Sequence, residues 1–78
     1  MSQLRIQFYA EGRRRGSGSV CNLYEVCGKT YDSFIIEDRR WQSCRSAREQ
    51  EDLLLGVAKS RYPEVEWTRA FYNEIKQV

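Results

Sequence analysis

Apolar and polar residues alternate strictly near the start of the chain. The apolar positions are Leu4, Ile6, Phe8 and Ala10, and the polar positions between them are Arg5, Gln7, Tyr9 and Glu11. Because successive side chains of a strand point to opposite faces of a sheet, this period of two predicts a strand with one buried and one exposed face.

Two further strands are predicted after a loop. Residues 20–26 carry apolar side chains on both faces, which indicates a central strand. Gly28 and Lys29 form a two-residue connection that is typical of a tight hairpin. Residues 30–37 are rich in aromatic and β-branched side chains, and we expect them to form the third strand.

The segment 47–61 has the features of a helix. Ser46 is followed three residues later by Glu49, which matches a capping box, and Pro63 disfavours helical geometry at Tyr62. Residues 38–45 before this helix are predicted to be a polar connection. One stripe of the helix is formed by Ala47, Gln50, Leu54, Val57, Ala58 and Arg61, with Leu53 beside it.

The C-terminal segment fits two patterns. A helical stripe is formed by Trp67, Ala70, Phe71, Ile75 and Val78, whereas Val65, Trp67 and Phe71 share the parity of a strand. We favour a strand near 64–72, because no capping residue directly precedes Trp67. The sequence therefore predicts one α+β domain over residues 1–78, with a small antiparallel sheet of three strands (β-β-β-α) packed on one helix. The C-terminal segment adds a fourth strand, and a second helix is the alternative.

Composition narrows the class of protein. Hydrophobic residues make up 41%, charged residues 31% and aromatic residues 13% of the chain, which is typical of a globular domain and not of a disordered one. The apolar run 53–55 is far shorter than a bilayer requires, so we expect no membrane partner. Residues 1–10 lack the continuous apolar stretch of a signal peptide, which favours a cytoplasmic location.

Neither the histidine count nor the cysteine count favours a catalytic or metal centre. The chain has no histidine, which excludes histidine-based acid–base catalysis and histidine-ligated zinc. Its three cysteines, Cys21, Cys27 and Cys44, fall one ligand short of a typical zinc site. We therefore expect reduced thiols, no metal, no cofactor and no enzymatic activity.

Positive charge is concentrated in the first part of the chain. Residues 1–48 hold nine basic and five acidic side chains, whereas residues 49–78 hold four basic and six acidic ones. Arg13, Arg14 and Arg15 lie in the Gly/Ser-rich segment 12–19, which is predicted to be a flexible hairpin loop. Such a loop can contact phosphates or an acidic protein groove, and the alternative is a solubilising hairpin tip.

A second basic group surrounds an aromatic residue. Its members are Arg39, Arg40, Trp41, Arg45 and Arg48. An exposed Trp41 would stack on a base or anchor a protein interface. The alternative is that Trp41 closes the core at the start of the helix.

These features predict a small non-enzymatic binding protein. In character it is similar to small phage or mobile-element proteins that bind and block a host machine, as anti-CRISPR proteins and polymerase inhibitors do. We expect an acidic or nucleic-acid-binding surface of a host protein or nucleoprotein complex as its partner, and direct DNA or RNA binding is the alternative. The predicted contact residues are Arg13, Arg14, Arg15, Arg39, Arg40, Trp41, Arg45 and Arg48.

Overall fold

The computed structural model describes residues 2–78, and Met1 of the predicted 1–78 domain lies outside them. Within residues 2–78, four strands form one antiparallel sheet and three helices accompany it, so the predicted α+β class is confirmed. The elements are β1 (Gln3–Arg14), β2 (Val20–Asn22), α1 (Leu23–Cys27), β3 (Asp32–Glu37), α2 (Asp38–Gln42), α3 (Ala47–Arg61) and β4 (Val65–Gln77).

The first strand, β1, is the centre of the sheet. It pairs along nearly its whole length with β4, and the same residues also pair with β3 near its start and with β2 near its end. A strand has only two edges, so β2 and β3 share one edge of β1 and β4 occupies the other. The prediction that residues 20–26 form the central strand is therefore wrong.

The alternation in β1 is confirmed, and its apolar side chains form one side of the hydrophobic core. Helix α3 lies over this face, where Leu54 and Ala58 of the predicted stripe are buried while Ala47 and Arg61 at its ends are exposed. No helix within residues 2–78 has the length and apolarity that crossing a bilayer requires. The buried apolar residues are Leu4, Ile6, Phe8, Ala10, Cys21, Leu23, Phe34, Ile36, Trp41, Leu54, Ala58, Val65, Trp67 and Ala70.

The second predicted strand is interrupted by helix α1. Asn22 ends β2 and caps α1, because its side chain accepts a hydrogen bond from the Glu25 N–H while the Glu25 carboxylate accepts one from the Asn22 N–H. Gly28 ends the helix in the left-handed conformation, with φ of 77°. The predicted hairpin at Gly28 and Lys29 is therefore wrong, and the third strand begins at Asp32.

The predicted Gly/Ser loop and polar connection are shorter than expected. Gly12, Arg13 and Arg14 belong to β1, because they pair with β4 on one side and Gly12 and Arg13 also pair with β2 on the other. The loop itself covers only residues 15–19. In the segment 38–45, which was predicted to be a connection, residues 38–42 form the short helix α2.

The C-terminal segment is a strand, so the alternative of a second helix there is wrong. It extends beyond the predicted 64–72 to Gln77, since β1 offers a pairing partner along that entire length. The register shifts twice, which leaves Thr68 and Asn73 as extra residues opposite β1. The helix predicted over 47–61 is confirmed with the same bounds.

Candidate functional site

The two predicted groups of arginines do not form one cluster. Arg13, Arg14 and Arg15 stand at the end of β1, whereas α2 lies beside its start, where the Asp38 N–H donates to the Ser2 carbonyl over 3.0 Å. The span of β1 is about 36 Å at roughly 3.3 Å per residue. The molecule measures 43 × 24 × 17 Å, so Arg39 and Arg40 of α2 are far from Arg13. Arg48, at the start of α3, instead lies near Arg69, which stands opposite Glu11 of β1.

Two of the three consecutive arginines are bound to the rest of the domain. Arg13 donates to the Gly18 carbonyl over 3.1 Å, and the Arg15 guanidinium donates to the Pro63 carbonyl over 2.9 Å. The Arg15 N–H also donates to the Glu64 carbonyl. The two Arg15 contacts tie the loop 15–19 to the turn before β4, whereas the Arg13 contact joins the end of β1 to the loop itself.

Trp41 belongs to the core. It is only 4% exposed, and its ring meets the Tyr72 ring edge-on with the centroids 5.7 Å apart. The alternative in which Trp41 closes the core is therefore the one found in the structure. Its ring is not exposed for stacking on a base. The neighbouring Arg39, Arg40, Arg45 and Arg48 are all exposed.

The sheet face opposite the core is open and carries an aromatic cluster. Tyr9 lies between Phe71 and Tyr31, with ring centroids 5.4 Å and 6.5 Å away. Phe71 is 50% exposed and Tyr31 is 40% exposed. We call the exposed side of the sheet around these three residues the open face. The alternation in β1 predicts that Tyr9 lies on the exposed face of the sheet. The sequence pattern does not show that Phe71 and Tyr31 lie beside it.

The charges of the open face are balanced. Glu11 stands opposite Arg69 and Arg13 opposite Glu66, so oppositely charged residues face each other across β1 and β4. The cations that the register places on this face are Arg5, Arg13, Arg69 and Lys76, and the anions are Glu11, Glu37, Glu66 and Glu74.

Tyr9 is held in place by a polar contact within the open face. Its hydroxyl donates to the Glu11 carboxylate over 3.3 Å. Partial burial, and then the nearby charge of Glu11, raise the pKa of Tyr9 above its usual value. Tyr9 therefore stays a neutral hydrogen-bond donor at neutral pH, with its ring fixed between its two aromatic neighbours.

A buried carboxylate joins α3 to β3. Asp32 is 6% exposed and accepts hydrogen bonds from the Tyr62 hydroxyl over 2.8 Å, from Arg61 over 3.0 Å and from the Ser33 N–H over 2.8 Å. Burial opposes its ionisation, but these donors outweigh burial and lower the pKa of Asp32. Burial, and then the Asp32 carboxylate, raise the pKa of Tyr62. This cluster is internally paired, which suits a structural link.

The cysteines and acidic residues of the described chain form no metal centre. Cys21 is buried, Cys27 and Cys44 are half-buried, and all three are free thiols. No group of three or more potential ligands among residues 2–78 is placed to hold a metal ion.

Comparison of this chain with protein-family models, with curated proteins and with solved structures finds no match.

Proposed function

We propose that this chain is a small non-enzymatic adaptor or inhibitor that binds a protein partner through its open face. The observation that carries this proposal is the cluster of Tyr9, Tyr31 and Phe71, which leaves aromatic surface exposed in the middle of a sheet. Aromatic residues at the centre of a patch, surrounded by polar and charged ones, are the usual composition of a protein–protein interface.

The charge pattern favours a protein partner over a nucleic acid. Binding to DNA or RNA depends on neutralising phosphates, and single-strand binding surfaces combine stacking rings with a positively charged groove. The open face offers rings, but its four cations are matched by four anions. A surface with such mixed charges complements a protein surface of mixed charge and gives no net attraction for a phosphate backbone.

The arginines at the end of β1 have a supporting role in this proposal. Arg13 lies on the rim of the open face, and its neighbours Arg14 and Arg15 extend the positive charge around the end of the sheet. Charges at the rim of an interface raise the association rate more than the affinity. We therefore expect the partner to carry acidic residues beside the apolar patch that meets Phe71. An inhibitor that acts by binding a host protein or nucleoprotein complex requires only a contact surface of this kind, an aromatic patch with charges at its rim.

The test compares two adjacent residues on opposite faces of β4. Phe71 points to the open face and is 50% exposed, whereas Tyr72 lies beside Trp41 and is 47% exposed. Phe71→Thr and Tyr72→Thr keep strand propensity and remove aromatic rings of similar exposure. Wild type and both variants are immobilised, and proteins from the native host's lysate are captured with and without nuclease treatment.

The proposal predicts a protein that resists nuclease, is retained by Tyr72→Thr and is lost with Phe71→Thr. Circular dichroism of the two variants checks that both are folded. Capture that disappears with nuclease would indicate direct nucleic-acid binding and would overturn the proposal. Equal capture by both variants would also overturn it, because the open face would then not be the contact surface.

A further inference from the structure

The last strand, β4, has one edge that no other strand occupies. Among the strands within residues 2–78, β4 pairs only with β1, so its second edge faces away from the sheet. The Val78 N–H donates to the Gln3 carbonyl over 3.0 Å, and hydrogen-bonded positions alternate along an antiparallel pair. The backbone groups of Ile75 and Gln77 therefore point away from β1, toward this outer edge.

Helix α3 covers this outer edge only in the first half of β4. The Glu51 carboxylate accepts a hydrogen bond from the Ala70 N–H over 3.1 Å, which occupies an outward backbone group there. Beyond Ala70 the side chains are exposed up to Gln77, apart from the half-buried Ile75. Residues 74–77 also pair with β1 without a shift in register. A regular, uncovered edge of this kind can pair with a strand of another chain.

Residues 73–77 of this edge form a self-complementary sequence. Asn73 and Gln77 are both amides, Glu74 and Lys76 have opposite charges, and the two pairs flank Ile75 symmetrically. When two such edges pair antiparallel with Ile75 opposite Ile75, Glu74 of each copy faces Lys76 of the other. The outward N–H and C=O groups of the two Ile75 residues then bond to each other. Opposite charges directly across two strands stabilise their pairing.

Charge also selects this register over its neighbours. In a symmetric antiparallel pair one residue lies on the two-fold axis opposite its own copy, and the two nearest alternatives to Ile75 are Glu74 and Lys76. The first alternative places Glu74 opposite Glu74, and the second places Lys76 opposite Lys76. Like charges directly opposite each other are destabilising. Of these three registers, only the one centred on Ile75 brings opposite charges together.

The neighbouring strand gives a second reason for an additional anion beside Lys76. Arg5 of β1 lies directly opposite Lys76, which is an unfavourable pair of like charges. Glu74 of the same chain binds Lys76 at 3.1 Å, but the Lys76 side chain stays 71% exposed. No ion pair within residues 2–78 involves Arg5. In the paired edges, Glu74 of the second copy adds a carboxylate on the free side of Lys76 and offsets this repulsion.

We propose that two copies of this chain form a symmetric dimer by pairing residues 73–77 of their β4 edges. The two four-stranded sheets become one continuous sheet, with both open faces on the same side. The contact is isologous, so it closes after two copies. Its area is at the low end for specific complexes, so the dimer is weak and depends on protein concentration. This interface does not rest on the function proposed for the open face.

The test exchanges the charges that face each other in the dimer. Sedimentation velocity of the purified protein, between micromolar and millimolar concentrations, measures the dissociation constant. Glu74→Lys places cations opposite cations, and Lys76→Glu places anions opposite anions. We expect each variant alone to raise the dissociation constant by at least about tenfold. In an equal mixture of the two variants each lysine meets a glutamate, so the dimer is expected to return. Both positions are exposed, and thermal unfolding checks that the variants are folded.

Two controls separate this contact from a general effect of charge. The double variant Glu74→Lys with Lys76→Glu keeps opposite charges across the axis and is expected to dimerise. Glu66→Lys makes the same charge change elsewhere on β4 and is expected to dimerise like wild type. A monomeric wild type at all concentrations, single variants that dimerise like wild type, or a mixture no more dimeric than its components would overturn the proposal. Phe71→Thr is expected to dimerise normally, so failure here is distinguishable from failure of the open face.

Discussion

Gly12 and Glu66 approach each other so closely across β1 and β4 that a Cβ on Gly12 would collide with the Glu66 carbonyl oxygen. The same Cβ would lie 2.7 Å from the Cα of Trp67. Both neighbours are backbone atoms at the point where the register of the two strands shifts between Glu11 and Gly12. A flexible side chain could move aside, but these atoms can give way only if the strand pair separates.

We therefore expect Gly12→Ala to destabilise the domain by about 1–3 kcal/mol, the usual cost of forcing atoms into a packed site. Urea unfolding followed by circular dichroism measures the change. Gly56→Ala is the matched control, because its new methyl group enters open space and is expected to raise stability by up to about 1 kcal/mol. Equal stability of Gly12→Ala and wild type would show that β1 and β4 leave room for a methyl group at Gly12, which would contradict the close approach to Glu66.

Leu54 and Leu55 are neighbours in α3 that test which face of the helix is buried. Leu54 is 1% exposed, whereas Leu55 is only half-buried at the edge of the core. We expect Leu54→Ala to cost about 2–5 kcal/mol and Leu55→Ala clearly less, because only the first change leaves a cavity in the packed interior. Chemical denaturation of both variants decides the order, and a reversed order would place the wrong face of α3 against the sheet.

The elements with strong local signals could be predicted from the sequence. Helix α3 has a capping serine at Ser46 and a stop at Pro63, and the alternation in β1 identifies its buried face without reference to any other strand. Helix α1 also carries a local signal, because Asn22 and Glu25 have capping-box spacing and Gly28 follows. Because these two polar residues lie within the apolar segment 20–26, the overall pattern of that segment favours a strand instead.

The remaining features depend on which strands lie next to each other. The length of β4 follows from its pairing with β1, and nothing in its own pattern marks an end at Gln77. The meeting of Tyr31 and Phe71 on Tyr9 requires knowledge of two separate pairings. For the same reason, the sequence did not show that Arg13 and Arg40 lie at opposite ends of the sheet.

Arg15 is expected to contribute to stability as well as to surface charge. Its guanidinium donates to the Pro63 carbonyl over 2.9 Å and links the loop 15–19 to the turn before β4. We expect Arg15→Ala to cost about 0.5–1.5 kcal/mol, the typical net contribution of such a hydrogen bond. Arg39 is the control, because its side chain is 84% exposed and its ion pair with Glu37 spans 3.8 Å. Arg39→Ala is expected to change the free energy of unfolding by less than about 0.5 kcal/mol. Equal losses in the two variants would contradict the structural role of Arg15.

Asp32 is expected to make the stability of the domain depend on pH in the acid range. The carboxylate is buried, but its hydrogen bonds lower its pKa below the value of about 3.9 for an unfolded aspartate. A group with a lowered pKa in the folded state stabilises the fold above the unfolded pKa and loses that contribution as the pH falls through the folded pKa. We therefore expect stability from Asp32 to be complete above about pH 4 and to decline below it.

Urea unfolding between pH 6 and pH 2 measures this decline, and substitutions separate Asp32 from the other carboxylates. Asp32→Asn removes the titrating group, so its stability is expected to be lower at neutral pH and to fall less steeply in acid. Glu37→Gln, at an exposed position, is expected to keep the wild-type slope. Tyr62→Phe removes one of the donors that lower the Asp32 pKa, so the acid-induced loss is expected to be smaller than in wild type and to be complete at a higher pH. If Asp32→Asn kept the full wild-type slope below pH 4, the acid sensitivity would belong to other carboxylates, and the hydrogen bonds from Tyr62 and Arg61 would not govern it.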